Sequence, residues 1–244
     1  MKKATIIAFA LTAALLISCK EEKPTPKVIY ENNNETAVKP EPKKVDSTQI
    51  KVADLPVHME GTKYLIHPVG DIRINDDISR NSYGTSRTNS AVSYAISNYN
   101  RFEITGYFEN LKFQHVDSTA LRPLTDKKIQ IQTATYLNTV YDRVKKQFLI
   151  YTLVDADTNL DGKVDSNDIK SLYISDISGA GFRKLSEDVQ ELLDWSVIEE
   201  LNRVYFRTIE DINKNGAFDK NDKVHYHYID LLRPEWTVSY EPVN

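Results

Sequence analysis

A twelve-residue acidic stretch occurs twice in this chain, and it constrains the fold more than any other feature. The first copy is DTNLDGKVDSND at residues 157–168, and the second is DINKNGAFDKND at 211–222, 54 residues later. Each copy has Asp or Asn at its first, third and fifth positions, Gly at its sixth, and Asp at its ninth and twelfth. Carboxylates crowded this closely repel one another and shift one another's titration unless a cation lies among them. The repetition predicts two equivalent structural units.

The repeat extends beyond the acidic stretches. The apolar run QFLIYTLV at 147–154 ends in a turn signal, as expected for a buried strand, and RVYFRTIE at 203–210 is its counterpart. An offset of 61 residues aligns LKFQHVDSTALRPLTD at 111–126 with LYISDISGAGFRKLSE at 172–187 without a gap. We therefore expect two complete units and parts of a third, each made of a strand, a loop, a second strand, a turn and a short third strand.

The segments SLYISDISGAGFRKLSED and LLDWSVIEELNRVYF resemble the blade repeats of TolB-like β-propellers, and the resemblance covers roughly residues 105–232. It implies a mainly β fold of antiparallel hairpin repeats. Propellers have four to eight blades, so three units cannot close a ring of that kind. Two arrangements follow: an incomplete propeller that pairs with another copy, or an open array of repeats that resembles a β-sandwich.

Two regions give weaker signals. In SEDVQELLDWSVIEELNRV at 186–204, residue propensity and apolar spacing favour a helix, whereas the repeat favours strands around ELLDWSVI, and we follow the repeat. Between residues 56 and 104, TKYLIHPVGDIRI predicts a pair of strands, NDDISRNSYGTSRTNS a long polar loop, and AVSYAIS a strand.

The acidic stretches fit a calcium-binding loop. Calcium takes six to eight oxygen ligands, and a twelve-residue loop supplies them from positions 1, 3, 5, 7, 9 and 12, with Gly at position 6 for the sharp turn. The residues at the ligand positions are Asp157, Asn159, Asp161, Lys163 (through its carbonyl), Asp165 and Asp168 in the first stretch, and Asp211, Asn213, Asn215, Ala217 (through its carbonyl), Asp219 and Asp222 in the second. Val164 and Phe218 are expected to pin the two loops to the core. The first stretch has four ligand carboxylates and the second has three, so we expect tighter binding at the first.

Both stretches resemble EF-hand loops of the dockerin type, with three departures. Position 12 is Asp instead of Glu, position 4 of the first stretch is Leu160, and the flanking segments read as strands instead of helices. The remaining alternative is a pair of Asp- and Asn-rich hairpin turns that bind nothing. If calcium binds, its expected role is to hold a hairpin together, because extracellular calcium sites can be as weak as about 10⁻⁴–10⁻³ M.

The N-terminus predicts export and lipid anchoring. Lys2 and Lys3 precede an apolar run from Ala4 to Ile17 that is too short for a membrane span. The run ends in LISC, which resembles the lipobox of bacterial lipoproteins and implies cleavage before a lipidated, acylated Cys19; an ordinary secretory signal is the alternative. We therefore expect residues 1–19 to be a lipoprotein signal segment that ends at the lipidated Cys19. The Pro-, Lys- and Glu-rich residues 20–55 predict a disordered tether, and 56–244 the folded β-repeat domain.

The following residues KEE resemble a signal for display on the outer face of some Gram-negative bacteria. We expect an outer-membrane lipoprotein, on the cell surface or on the periplasmic face. Cys19 is the only cysteine, so no disulfide forms within the chain. The net charge of −4 gives no electrostatic footprint for nucleic acid.

Three functions remain open at this point. The first is a non-enzymatic, calcium-stabilised binding or scaffold protein with an unknown protein or glycan partner. The second is a small hydrolase or carbohydrate-active enzyme of the cell surface, although the sequence contains no GxSxG or HExxH motif. The third is an envelope assembly component that pairs through open β-edges. A carboxylate pair with raised pKa would favour the second, and an uncovered sheet edge the third.

Overall fold

The computed structural model describes residues 26–30, 49–73 and 97–242. These residues form three antiparallel sheets with very little helix, so the mainly β prediction is confirmed. Within the described residues, the helical elements are one short helix, α1 (Tyr141–Val144), and two 3-10 turns at Asn138–Val140 and Glu199–Leu201. None of the described helices has the length or the hydropathy needed to cross a membrane.

Fifteen strands can be followed in the described residues. The first sheet contains β1 (Gln49–Ala53), β2 (Val57–His58), β3 (Tyr64–Arg73), β6 (Asn110–His115) and β7 (Arg122–Pro123). The second contains β4 (Ser97–Asn100), β5 (Glu103–Phe108), β8 (Gln130–Tyr136), β9 (Phe148–Val154), β10 (Lys170–Asp176) and β11 (Arg183–Lys184). The third contains β12 (Gln190–Ile198), β13 (Arg203–Glu210), β14 (Lys223–Asp230) and β15 (Arg233–Tyr240).

The sequence repeat corresponds to a repeat of structure. The second sheet includes the consecutive order β8-β9-β10-β11, and the third has the same order in β12-β13-β14-β15. Equivalent backbone bonds close equivalent turns: Leu124 N–H donates to Leu111 O, and Leu185 N–H donates to Leu172 O, both at 2.8 Å. The unit in the third sheet departs from the predicted short last strand. Only residues 231 and 232 separate β14 from β15, and β15 is eight residues long. The equivalent strand of the second sheet, β11, has two residues.

The three sheets stack in series around two hydrophobic cores. The first core joins Ile66, Leu111 and Phe113 of the first sheet to the second sheet, and the second core joins the second sheet to Val204 and Phe206 of the third. Strand β9 contributes to both cores, because alternate residues face opposite sides of a sheet. Its apolar run has no polar face for this reason, whereas β13 alternates between buried and less buried residues.

The segment with conflicting signals is a strand, β12, as the repeat predicted. Its helix-like spacing has a structural cause. A register shift between Leu192 and Asp194 inserts an extra residue, so that Leu192, Trp195 and Val197 all pack on the second core. A bulge in a strand therefore produced the three-residue spacing that is typical of a helix.

Two predictions near the N-terminus are corrected. Part of the tether at 20–55 is folded: Ile50 and Val52 lie in β1, which pairs with β3, and residues 26–30 pack on the domain. Ile50 and Val52 pair with Ile72 and Gly70 of β3, whereas residues 26–30 contact residues 158 and 216, far along the chain. TKYLIHPVGDIRI contains the ten-residue strand β3 instead of a strand pair. The predicted loop at 75–90 and all but the last residue of AVSYAIS lie outside the described residues, as do Cys19 and the signal peptide.

Candidate metal centres

The two acidic stretches occupy equivalent places in the fold. Loop 1 (157–168) connects β9 to β10, and loop 2 (211–222) connects β13 to β14. Each joins neighbouring antiparallel strands whose last pairs are Val154 with Lys170 and Glu210 with Lys223. Both loops are therefore long hairpin connections, as the flanking strand patterns predicted, and neither has the helical flanks of an EF-hand.

In loop 1 the predicted ligand side chains hold the backbone in a tight coil. Asp157 accepts hydrogen bonds from the N–H groups of Asp161 at 3.0 Å and Gly162 at 2.7 Å. Asn159 Oδ1 also accepts from Asp161 N–H at 3.0 Å. Asp161 Oδ1 accepts from Lys163 N–H at 2.8 Å, which fixes the peptide plane next to the predicted carbonyl ligand. These bonds wrap the first half of the loop around its own acidic side chains.

The last residue of loop 1 joins its two ends. Asp168 is fully buried, and its Oδ1 accepts from the N–H groups of Thr158 at 2.8 Å and Asn159 at 3.1 Å. Its Oδ2 accepts from Asp165 N–H at 3.0 Å. Asp165 Oδ1 in turn accepts from the N–H of Asn167 at 2.9 Å. The short Asp at position 12 thus acts as a clasp between the start and the end of the loop.

Loop 2 repeats seven of the eight bonds just described for loop 1; the exception is the bond from Asn159 N–H to Asp168 Oδ1. Asp211 accepts from Asn215 N–H at 3.2 Å and Gly216 N–H at 2.7 Å, and Asn213 Oδ1 accepts from Asn215 N–H at 2.9 Å. Asn215 Oδ1 accepts from Ala217 N–H at 2.8 Å. At the far end, Asp222 accepts from Ile212 N–H at 3.2 Å and Asp219 N–H at 2.7 Å, and Asp219 Oδ1 accepts from Asn221 N–H at 2.8 Å. The two stretches therefore adopt one loop conformation.

The backbone also matches between the loops. Gly162 and Gly216, at position 6, have φ of +81° and +82°. Leu160 and Lys214, at position 4, have φ of 56° and 55°. Leu160, the departure noted in the sequence, therefore stands at a left-handed position, and its side chain is 45% exposed. Neither predicted apolar pin is deeply buried, because Val164 and Phe218 are both half-buried, whereas the next residue after loop 1, Ile169, is 2% exposed.

The donor set of each loop consists only of oxygen. Every predicted ligand side chain is Asp or Asn, and carboxylate, amide and carbonyl oxygens are the ligands that calcium prefers. Most of these oxygens accept one backbone N–H and keep a second lone pair; Asp168 Oδ1, which accepts from both Thr158 and Asn159, is an exception. Among the described residues, however, no three His, Cys, Asp or Glu side chains are gathered as a metal-binding group. The fit to calcium thus depends on the loop conformation and donor chemistry, not on a preformed cluster of acids.

The sequence analysis did not predict that residues 26–30 contact both loops. Residues 26–30 lie across the loops, and Thr158, at position 2 of loop 1, donates from Oγ1 to Lys27 O at 2.7 Å. The same Oγ1 accepts from Ile169 N–H at 3.0 Å. A Thr within an acidic stretch carries no sequence signal for such a contact, because its partner lies 131 residues away.

The carboxylates with clear pKa shifts do not have the pattern expected for a hydrolase. Burial raises the pKa of Asp155, but hydrogen bonds from Lys184, Tyr173 and Ser171 lower it more, and the resulting pKa lies below the ordinary value. The pKa of Asp194 is lowered by its bonds from Arg207. A general acid requires a raised pKa. A cavity of about 710 Å³ is lined by Tyr64, Phe148 and Arg183 among others, including the carboxylates Asp176 and Glu235, and neither Asp155 nor Asp194 lines it.

The fold and its loops define an antiparallel β protein of three stacked sheets with two matched acidic hairpin loops. No protein-family model matches the chain, and no curated protein matches it. Among solved structures, one similar chain is described as "The structure of putative TolB from Agrobacterium tumefaciens". It is 9% identical, with 78% of this chain and 80% of that chain covered, at a TM-score of 0.22. A likeness this weak carries no argument about fold or function.

Proposed function

We propose that this protein is a calcium-binding, lipid-anchored protein of the bacterial cell envelope, a non-enzymatic binding or scaffold module in which calcium is structural. The observation that carries the calcium proposal is the set of seven side-chain-to-backbone hydrogen bonds that loops 1 and 2 share at equivalent positions. Both loops carry acceptor side chains at the same five positions, 1, 3, 5, 9 and 12, which are the side-chain ligand positions of the calcium-loop template. The partner that such a module would recognise is a protein or a glycan, and nucleic acid is not expected.

In this proposal each loop holds one ion through its own residues. Side-chain oxygens at positions 1, 3, 5 and 9 and the carbonyl of Lys163 or Ala217 are the donors. Asp168 and Asp222 keep the loop ends together and offer their remaining lone pairs. The ion supplies positive charge among carboxylates that would otherwise repel one another. Because it binds the folded loop and not the unfolded chain, it stabilises the hairpin by mass action.

The envelope proposal comes from the N-terminus. A lipidated Cys19 carrying two or three acyl chains anchors the domain stably to a membrane. The chain is then an outer-membrane lipoprotein on the cell surface or on the periplasmic face. Metabolic labelling with a radioactive fatty acid tests the anchor: the wild-type protein incorporates label and a Cys19→Ser variant does not. Equal labelling of both would refute it.

A second candidate function is supported by one edge of the third sheet. Strand β15 is eight residues long and, among the described strands, pairs with β14 alone. Its residues Trp236 and Val238 are 73% and 40% exposed. A long edge strand with exposed apolar residues can pair with a strand of another chain. This arrangement favours an envelope assembly component that pairs through an open edge.

Calcium binding is tested on the purified full chain. We expect native mass spectrometry to find two calcium ions and thermal unfolding to occur at a higher temperature in millimolar calcium than in chelator. Each site contributes about 2.7 kcal/mol when free calcium is 100 times its Kd. Magnesium at equal concentration is the control, because it prefers stricter octahedral geometry and retains its waters. Identical melting in calcium and in chelator, with no bound ion, would overturn the proposal.

A further inference from the structure

A short segment close to the proposed lipid anchor is bound across both acidic loops. Lys27 N–H and Val28 N–H donate to Gly216 O in loop 2, at 2.7 Å and 3.3 Å. Ile29 N–H donates to Thr158 O in loop 1 at 2.9 Å. Thr158 Oγ1 returns a bond to Lys27 O at 2.7 Å. Five residues thus bridge two loops that the sequence separates by more than forty residues.

Side chains of the same segment hold it in place. Val28 is only 5% exposed, and Lys27 Nζ lies 2.9 Å from Glu191 Oε1 at the start of β12. Glu191 is itself buried and also accepts from Lys170 N–H at 2.8 Å. A Cβ atom on Gly216 would lie 2.5 Å from Val28 O, so the absence of a side chain there is what admits the segment. Tyr30 bonds to Asp211, the first residue of loop 2.

We propose that residues 26–30 are a strap that clamps the chain onto the loops directly after its anchor. This inference rests on the proposed function, because it takes Cys19 as lipidated and the loops as calcium sites. With the strap docked, only residues 20–25 separate the anchor from the folded domain, a reach of roughly 25 Å at full extension. With the strap released, the next residue that the structure describes is Gln49, and the upper limit of the reach becomes roughly 100 Å.

The strap determines which end of the domain faces the membrane. Both loops lie at the strap, so the clamped domain presents its calcium-loop end to the lipid surface. The strap and the ions are also linked thermodynamically. Docking requires both loops in their ordered conformation, so calcium favours docking, and docking raises calcium affinity by the same factor. Loss of calcium therefore lengthens the connection to the membrane.

The test uses the full lipidated protein in phospholipid vesicles, with Val28→Asp against Ile29→Asp as matched variants. Val28 is buried, so an aspartate there expels the strap; Ile29 is 45% exposed, so the same charge is tolerated. Lys27→Glu, which sets like charges against each other at Glu191, is a milder second variant that alters no core residue. Two readouts are compared in millimolar calcium and in chelator.

The first readout is hydrogen exchange of the amides at 27–29, and the second is energy transfer from a dye at the exposed position Ser166→Cys to a lipid-headgroup dye. Because Cys19 is consumed by lipidation, this thiol is the only one free for labelling. In calcium, the wild type and Ile29→Asp are expected to show amide exchange slowed on the order of 100-fold, with strong energy transfer. Val28→Asp, and the wild type in chelator, are expected to show fast exchange and weak transfer.

The outcomes separate the strap from the calcium proposal. Fast exchange in the wild type with two bound ions, or equal exchange and transfer in the wild type and Val28→Asp, would overturn the strap alone. Protected amides in a wild-type protein that binds no ion would overturn the calcium proposal and leave the strap in place. Unchanged energy transfer between calcium and chelator in a protein that does bind two ions would overturn the proposed change of reach.

Discussion

His227 is a buried imidazole in the third sheet, and its surroundings favour the neutral form. Its ring nitrogens lie 3.3 Å from Thr208 Oγ1 and 3.1 Å from Ser239 Oγ, and the ring stacks on Phe206 with centroids 4.9 Å apart. Burial lowers its pKa below the ordinary 6.5, and the nearby His225 lowers it further, while Glu187 acts in the opposite direction. Neither hydroxyl partner carries a charge that could stabilise an imidazolium ion.

This lowered pKa predicts a loss of stability in weak acid. The unfolded chain binds a proton at the ordinary pKa of 6.5, whereas the folded chain takes it up only at a lower pH. The contribution of His227 is therefore fully present above about pH 7 and decreases as the pH falls from 6.5 toward the folded pKa, with a slope of at most about 1.4 kcal/mol per pH unit. Urea unfolding between pH 7.5 and about 5 measures it.

The matched variant is His227→Gln, which keeps a donor and an acceptor but does not titrate. We expect the difference in unfolding free energy between wild type and variant to shrink as the pH is lowered through this window. Titrating groups that do not interact with His227 are common to both proteins and cancel. A difference that stays constant with pH would contradict this assignment.

At the scale of elements, the sequence predicted the strands that belong to the repeat. The strands that flank both loops followed from short-range apolar runs and from the 54-residue offset. Features that depend on distant contacts were not accessible. The bulge after Leu192 altered the apolar spacing of β12, and the packing of Val28 depends on loops more than a hundred residues away. A proline- and lysine-rich composition predicts disorder only where no such partner exists.

The two loops are also predicted to differ in calcium affinity, with tighter binding at loop 1. Asp211→Ala disables loop 2 and leaves loop 1 with four carboxylates, whereas Asp157→Ala disables loop 1 and leaves loop 2 with three. We expect the Asp211→Ala variant to bind its remaining ion on the order of tenfold tighter, since one further carboxylate about 4 Å away contributes at least about 1 kcal/mol. Calorimetric titration measures this, with the exposed Asp126→Ala as a control that keeps both sites. Equal affinities in the two loop variants would refute the ranking.

At the scale of the whole molecule, the three sheets form an open stack with the second sheet buried on both faces. The first core contains Phe113 of β6 and Tyr151 of β9, so the sheets are held to each other mainly by side-chain packing. The turn after β10 contributes a direct contact between the first two sheets. Gly179 in this turn approaches the ring of Phe113 so closely that a Cβ atom would lie 2.6 Å from Cδ2 and Cε2.

This contact gives a matched pair of variants for the packing of the stack. Gly179 and Gly181 both have positive φ, +78° and +67°, so alanine at either position incurs backbone strain of about 1–2 kcal/mol. Nothing lies within 4 Å of a Cβ on Gly181, whereas one on Gly179 meets the 2% exposed Phe113. We therefore expect Gly179→Ala to lower the unfolding free energy by about 1–3 kcal/mol more than Gly181→Ala, the usual cost of overpacking.

Phe113→Leu should recover part of that excess in the Gly179→Ala background and none in the Gly181→Ala background. Urea unfolding of the two alanine variants and of the two double variants would measure this. Equal losses in the two alanine variants would mean that the turn does not bear on the first sheet, and that the stack depends on the strand side chains of the first core alone.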